Sequence, residues 1–210
     1  MSRDRLEPGA RLNTGPPVVP RLAATVIVMR GGAETLEVLL AKRTQAARFM
    51  GGVWVFPGGS VAAEDGDGDR GLRAAAVREV AEEVGIAVGP EAELVPFSNW
   101  ITPEEVSIRF DTWFFLAAAP PNAEPAVDGA EIVDAGWFAP WQALTAADRD
   151  ELLLVFPTIK HLERLSDFRC MDELLEYARG RTVEPIQPRV LDGEGEVARI
   201  VLPGEPGYDA

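Results

Sequence analysis

The sequence predicts an α/β domain, and three observations carry that reading. Short β-branched or aromatic runs interleave with helical stretches instead of segregating from them. Hydrophobic residues make up 47% of the 210, enough for a substantial core, and the length suits one domain with extensions or two small ones. No stretch repeats at a fixed period, which removes solenoids and propellers.

The elements follow in order. Residues 1–20 hold Pro8, Pro16, Pro17 and Pro20 with Gly9 and Gly15, and read as an irregular or extended arm. The runs "AATVIVMR" (23–30) and "LEVLLAKR" (36–43) flank "GGAET" and predict a β-hairpin. "WVFPGG" predicts a short strand ending in a glycine turn. "LRAAAVREVAEEVG" is alanine-rich and helical, with Gly85 as its stop. "AELVPFSNWIT", "RFDTWFFLAA" and "EIVDAGWFAP" read as further strands. From about residue 141 the pattern turns helical through "WQALTAADRDELLLVF", "TIKHLERLSDF" and "MDELLEYARG". The tail after these has strand-like pieces between turns. The expected organisation is an arm over 1–20, a core over 21–144, and a C-terminal helical extension and tail over 145–210 packed on that core.

Twenty Lys and Arg against 34 Asp and Glu give a formal charge of −14. That balance argues against a broad nucleic-acid surface, which needs a basic patch, and "SRDR" near the start is too short to serve as one. A phosphorylated small molecule held through a metal ion and a few arginines remains compatible. Cys170 is the sole cysteine, so an intrachain disulfide is excluded and a reducing cytoplasm is the simplest setting. It stands in "DFRCMDELL" at the start of a helix, which marks a structural role. No run approaches the ~18 apolar residues of a membrane span, and no signal-peptide pattern opens the sequence. His161, the only histidine, is expected at an exposed or partly buried helix position. Trp54, Trp113, Trp137 and Trp141 are expected in the core or at an interface. Trp100 borders a loop and is the exception, a candidate base-stacking platform.

The helix "LRAAAVREVAEEVG" carries the chemistry. Glu79 stands three residues before Glu82 and four before Glu83, so the three carboxylates share a face. Val77, Val80 and Val84 form a second stripe suited to packing on a sheet. Arg78, four before Glu82, can brace the acids. Like charges one turn apart repel, and a hard divalent cation such as Mg²⁺ or Mn²⁺ offsets that repulsion. The plain alternative is an acidic solvent-facing helix.

The wider arrangement of "FPGG", an acidic loop and "REVAEEVGI" resembles the Nudix box. That motif runs glycine, five residues, glutamate, seven residues, then Arg-Glu-aliphatic-any-Glu-Glu-any-Gly-aliphatic. Gly59 matches the opening glycine, and Arg78 through Ile86 match every position of the second half. The resemblance covers roughly residues 22–144. It implies a mixed β-sheet sandwiched between helices and a metal-dependent hydrolase of diphosphates linked to another group. Carried over by position, Glu79, Glu82 and Glu83, the Gly59 carbonyl and Glu131 in "EIVDAGW" would hold the metal. Glu79, oriented by Arg78, and Glu83 would serve catalysis. Glu104 and Glu105 rival Glu131. The chain departs from the pattern in one place. Gly59 to Arg78 spans five more positions than the motif does, and Arg70 stands where the first glutamate belongs. Glu64, Asp65, Asp67 and Asp69 lie in the enlarged loop, and any of them could supply the missing acid.

The stretch "LLAKRTQAARFMGGVWVFPGG" resembles, in part, the segment before the box in coenzyme A diphosphatases, with Leu39, Leu40, Arg48 and Gly52 at the matching spacing. Ala41 and Arg43 replace the usual threonines. The later segments "RFDTWFFLA", "LERLSDF" and "LPGEPGY" resemble an acyl-CoA diphosphatase branch whose box is also interrupted. The resemblance implies CoA or acyl-CoA as substrate, with Arg43 and Arg48 as phosphate contacts. ADP-ribose, NADH and oxidised nucleotides are the enzymatic alternatives, and a non-hydrolytic nucleotide-sensing module is the alternative of another class. The partner expected is a small nucleotide-type molecule, with a homodimer allowed and neither nucleic acid nor membrane.

Overall fold

The computed structural model describes residues 11–47, 50–191 and 199–209. Among the described residues the strands are β1 (Arg21–Arg30), β2 (Glu37–Arg43), β3 (Trp54–Val55), β4 (Gly58–Ser60), β5 (Val95–Ile101), β6 (Phe110–Ala118), β7 (Ile132–Phe138), β8 (Pro185–Ile186), β9 (Arg189–Leu191) and β10 (Arg199–Val201). The α-helices are α1 (Gly68–Val84), α2 (Pro140–Asp148), α3 (Phe156–Leu165) and α4 (Met171–Arg179).

One mixed sheet holds β1–β8, in the order β3-β2-β1-β6-β5-β8, with β4 beside β1 and β7 beside β2, while β9 and β10 pair antiparallel on their own. The predicted hairpin is present, pairing Met29 with Val38 and Arg30 with Glu37. Strand β1 then parts from β2. Its first half pairs with β4, and its whole length runs parallel to β6. "FPGG" is therefore more than a turn, because Gly58–Ser60 extends as a strand against Ala23–Thr25.

Strand alternation produces the layers. Ala24, Val26 and Val28 of β1 face the same side as Leu39, Phe115 and Ala117, where Leu72, Ala75, Ala76, Val80 and Val84 of α1 cover them. Burying Val80, Val84 and Leu72 contributes about 2 kcal/mol each. Ile27 and Met29 point the other way with Val38, Leu40, Phe114 and Leu116. There they meet Phe156, Leu162, Leu165 and Leu174 from α3 and α4. Helices thus cover both faces of the sheet, as the sandwich requires.

Helix α1 stops as expected: Gly85 takes a left-handed φ of 66° and its amide caps the Ala81 carbonyl. Helix α2 is shorter than the run "WQALTAADRDELLLVF" suggests. It ends at Asp148, and Asp150 adopts a φ of 59°, which turns the chain out of the helix. Leu154 then bridges to Trp54 as extended chain. Pro157, in the first turn of α3, starts the next helix where proline is tolerated.

His161 departs from expectation. It falls on the α3 stripe with Thr158, Ile159, Leu162 and Leu165, and is 3% exposed. Its Nδ1 lies 2.6 Å from the Pro157 carbonyl and its Nε2 lies 2.6 Å from Ser98 Oγ, among Phe56, Phe97, Trp100 and Phe114. Burial pushes its pKa down to about 4, so the ring is neutral. Trp100 is buried, at the next-to-last position of β5 before the chain enters a loop. Trp54 is buried as well, whereas Trp141 is exposed. Cys170 is the N-cap of α4 and has a free thiol.

Candidate active site

Strand β4 and helix α1 build the site between them. Pairing with β1 holds β4 beside the α1 face that carries Glu79 and Glu83. The Gly58 amide donates to Glu83 Oε2 at 2.9 Å. A Cβ on Gly59 would stand 2.4 Å from the Glu79 carboxylate, so any larger residue there must push that carboxylate out of place. Both glycines of "FPGG" thus meet carboxylates of the helix.

Arg78 is the hub. Its guanidinium has five N–H donors. Nε and one Nη2 donor go to Asp65 (2.9 and 2.8 Å), Nη1 goes to Glu79 (2.8 Å) and Glu82 (3.0 Å), and Nη2 also reaches the Ser60 carbonyl at 3.3 Å. Every donor is occupied, so Arg78 orients acids and has none to spare. Of the four acids in the enlarged loop, Asp65 alone is buried, and its carboxylate also accepts the Ala62 amide. The fork–fork bond to Arg78 holds its pKa below the usual carboxylate range. Asp69 instead pairs with Arg73, and Glu64 and Asp67 are exposed.

Glu131 arrives from the opposite side, on the loop before β7. Asp128 fixes that loop by accepting the amides of Glu131 and Ile132. A bulge between β2 and β7 falls at Lys42 and Arg43, and Arg43 Nη2 donates to Glu131 Oε1 at 2.9 Å. The charge of Glu131 is felt at both Glu79 and Glu83. The rivals Glu104 and Glu105 do not line the cavity in which Glu79 and Glu131 stand. Arg48 lies outside the described residues.

The carboxylates gather but do not converge. Among the described residues, no three His, Cys, Asp or Glu side chains adopt a metal-holding arrangement. Glu83 turns to the Gly58 amide, while Glu79 and Glu82 lean on Arg78, and the Glu82 side chain is 62% exposed. Mutual repulsion explains this, since a guanidinium is the nearest cation. The same repulsion bears on the protonation of the site. Burial, together with Glu79 and Glu131, pushes the Glu83 carboxyl up to about 8 against its one amide hydrogen bond. Burial raises Glu79 too, with Glu82 and Glu131 adding to it. Such an undercompensated set of hard oxygen donors fits a divalent cation.

Glu79, Arg78, Arg43 and Glu131 stand at one end of a cavity of about 510 Å³ that continues between the sheet and the start of α3. This bracing, the sandwich around it and the sequence comparison agree. The NUDIX domain profile matches residues 19–156. The chain belongs to the Nudix family. Its enzyme class is that of hydrolases acting on diphosphate bonds, which act on small nucleotide-type substrates and generally use divalent metal ions. A putative nudix hydrolase 7 of Caenorhabditis elegans is 29% identical over 225 residues, covering 90% of this chain and 74% of the relative. An acyl-coenzyme A diphosphatase, NUDT19, of Xenopus laevis is 32% identical over 124 residues, covering 55% of this chain and 32% of that protein. The chain therefore spans about a third of the diphosphatase it matches. The crystal structure of a NUDIX hydrolase from Alicyclobacillus acidocaldarius superposes with a TM-score of 0.67 at 28% identity, covering 75% of this chain and 96% of that one.

Three features of this Nudix site escape sequence reasoning. Asp65 is singled out by a short 3-10 turn (Ala63–Asp65) that rotates it inward beneath Arg78. Asp128 acts through a local turn three residues before Glu131, which the string "VDGAEI" hints at. The cavity wall from α3 depends on tertiary packing and leaves no local signal.

Proposed function

We propose that this Nudix hydrolase cleaves the diphosphate of CoA or acyl-CoA, in the presence of Mg²⁺ or Mn²⁺, to adenosine 3′,5′-bisphosphate and a 4′-phosphopantetheine product. The observation that carries the reading is the pair Glu79 and Glu131 at the charged end of the cavity, with Glu83 buried one helix turn along α1 from Glu79. The likeness to acyl-CoA diphosphatases and the segment before the Nudix box support the CoA part.

In this scheme Glu79, Glu82, Glu83, Glu131 and the Gly59 carbonyl would hold the cation. The cation supplies Lewis acidity and screens the diphosphate charge. Glu79, pinned between Arg78 and Gly59, accepts the proton of the attacking water. The water oxygen bonds to one phosphorus as the bridging P–O bond breaks, so one water is consumed per diphosphate. Arg43 exchanges Glu131 for a substrate phosphate, and Arg48 is a second phosphate contact. The unpaired Cys170 fits a cytoplasmic setting. No helix among the described residues is long and apolar enough to cross a membrane.

Incubation with Mg²⁺ or Mn²⁺ and a panel of CoA, acyl-CoA, ADP-ribose, NADH and oxidised nucleoside triphosphates tests the reading. Release of adenosine 3′,5′-bisphosphate from the CoA species, abolished by a chelator, is the expected result. Cleavage restricted to ADP-ribose or NADH would transfer the substrate to that class. Binding without cleavage of any compound would make the protein a nucleotide sensor.

A further inference from the structure

The cavity is charged at one end only. Its lining includes Arg43, Arg78, Glu79 and Glu131, and these are its only charged side chains among the described residues. They are also mutually paired, Arg78 with Glu79 and Arg43 with Glu131. The rest is neutral, and its deep part is apolar: Trp100, Phe110, Phe114, Phe156, Pro188 and Ile200.

Strand register gives its course and length. Ser60 pairs with Ala23, Ala23 with Thr112, and Thr112 with Trp100. All four line the cavity, so it follows a single cross-strand row over β4, β1, β6 and β5. Three strand spacings make that row about 14 Å long. Val155, Phe156, Pro157 and Thr158 at the start of α3 line its other wall.

We infer that this neutral channel takes the pantetheine limb of the substrate, with its thioester and acyl chain against Trp100, Phe156 and Ile200. The inference rests on the CoA reading of the site. CoA has two limbs on its diphosphate. The nucleoside limb ends in a phosphate, and burying that charge with no basic group nearby is costly. The pantetheine limb is uncharged. From its phosphate ester to its sulfur it counts twelve bonds, as many as four residues of extended chain, or roughly 14 Å. A limb of that length anchored at Gly59 ends beside Trp100. The acyl group then begins where the wall turns apolar, and the phosphorylated nucleoside stays outside, on the Arg43 side.

The test is a kinetic series on the wild-type enzyme with CoA, acetyl-CoA, butyryl-CoA and octanoyl-CoA. Each buried methylene should raise kcat/KM by up to about four-fold until the chamber is filled. The variant Phe110→Asp, which sets a carboxylate in the wall, should erase that slope. It should weaken inhibition by 4′-phosphopantetheine at least ten-fold and leave inhibition by adenosine 3′,5′-bisphosphate unchanged. CoA cleavage with no dependence on acyl length would overturn the assignment and leave the CoA reading standing. So would loss of adenosine bisphosphate inhibition in the variant, which would put the nucleoside in the channel. Failure to cleave any CoA species, with ADP-ribose turned over, would remove the CoA reading and this inference with it. The wild-type series is decisive even where the variant folds poorly.

Discussion

Metal-free protein should lose stability as pH rises from 6.5 to 8, and the structure gives the size of the loss. Two buried groups oppose each other. Glu83 has its folded pKa raised to about 8 from 4.5, so its contribution is full below 4.5 and lost as pH rises through 8. His161 has its folded pKa lowered to about 4 from 6.5, so its contribution is full above 6.5 and lost as pH falls through 4. Each slope is about 1.4 kcal/mol per pH unit while only one of the folded and unfolded states holds the proton. Between 4.5 and 6.5 the two cancel, leaving a plateau. Above 6.5 Glu83 dominates, and 1.5 pH units cost about 2 kcal/mol, while the raised Glu79 tilts the profile the same way from 4.5 upward. Asp65 and Asp128, both lowered, act only in the acid range below the plateau. Urea denaturation in chelator buffer at half-unit steps from pH 4.5 to 8.5 measures the profile. The variant Glu83→Gln should remove most of the fall above 6.5 and uncover a rise of up to about 3 kcal/mol between 4.5 and 6.5, driven by His161 and opposed by the raised Glu79. Saturating Mg²⁺ should flatten the wild-type fall. A flat chelated wild-type profile from 6.5 to 8, or a Glu83→Gln profile identical to it, would refute the reasoning.

Gly59→Ala should fold but lose about 1–3 kcal/mol and most turnover, because its Cβ displaces the Glu79 carboxylate; thermal melts and initial rates report both. Asp65→Ala should cost about 1–2 kcal/mol and depress kcat more than KM, since it strips two of the five bonds of a partly exposed Arg78. Glu64→Ala and Asp67→Ala should stay within about 0.5 kcal/mol of wild type in the same assays, and an equal effect across all three would deny Asp65 its bracing role. Arg43→Ala should free Glu131 and raise KM for CoA several-fold while sparing the melting temperature, as the Arg43–Glu131 pair is half in solvent.

Much of the fold was legible because local rules and tertiary packing agree. Alternation in "AATVIVMR" and "RFDTWFFLAA" produces both faces of the sheet, and the Val80 and Val84 stripe seats α1 on one of them. The spacing of Arg78, Glu79, Glu82 and Glu83 placed the hub on one helix turn. The misses fall where long-range packing decides. Helix propensity ran on through "RDELLLVF", but Leu154 is captured by Trp54 as extended chain. His161 is expected at an exposed or partly buried helix position, yet it sits on the buried stripe of α3. The loop acid that braces Arg78 could not be chosen from four by composition, since only the 3-10 turn distinguishes them. The convergence expected of three glutamates is softened by Arg78, whose bonds spread them apart.

The central claim is that the glutamates of α1 cut the diphosphate of CoA with a divalent cation. The rate of adenosine 3′,5′-bisphosphate release from CoA by Glu83→Gln, at saturating Mg²⁺ and beside a wild-type control of equal melting temperature, tests it most directly. The amide keeps the shape of the side chain and removes its charge. The account predicts a loss of about a thousand-fold, roughly 4 kcal/mol of transition-state stabilisation, with the fold intact. A folded Glu83→Gln enzyme that releases product at near wild-type rate would contradict it.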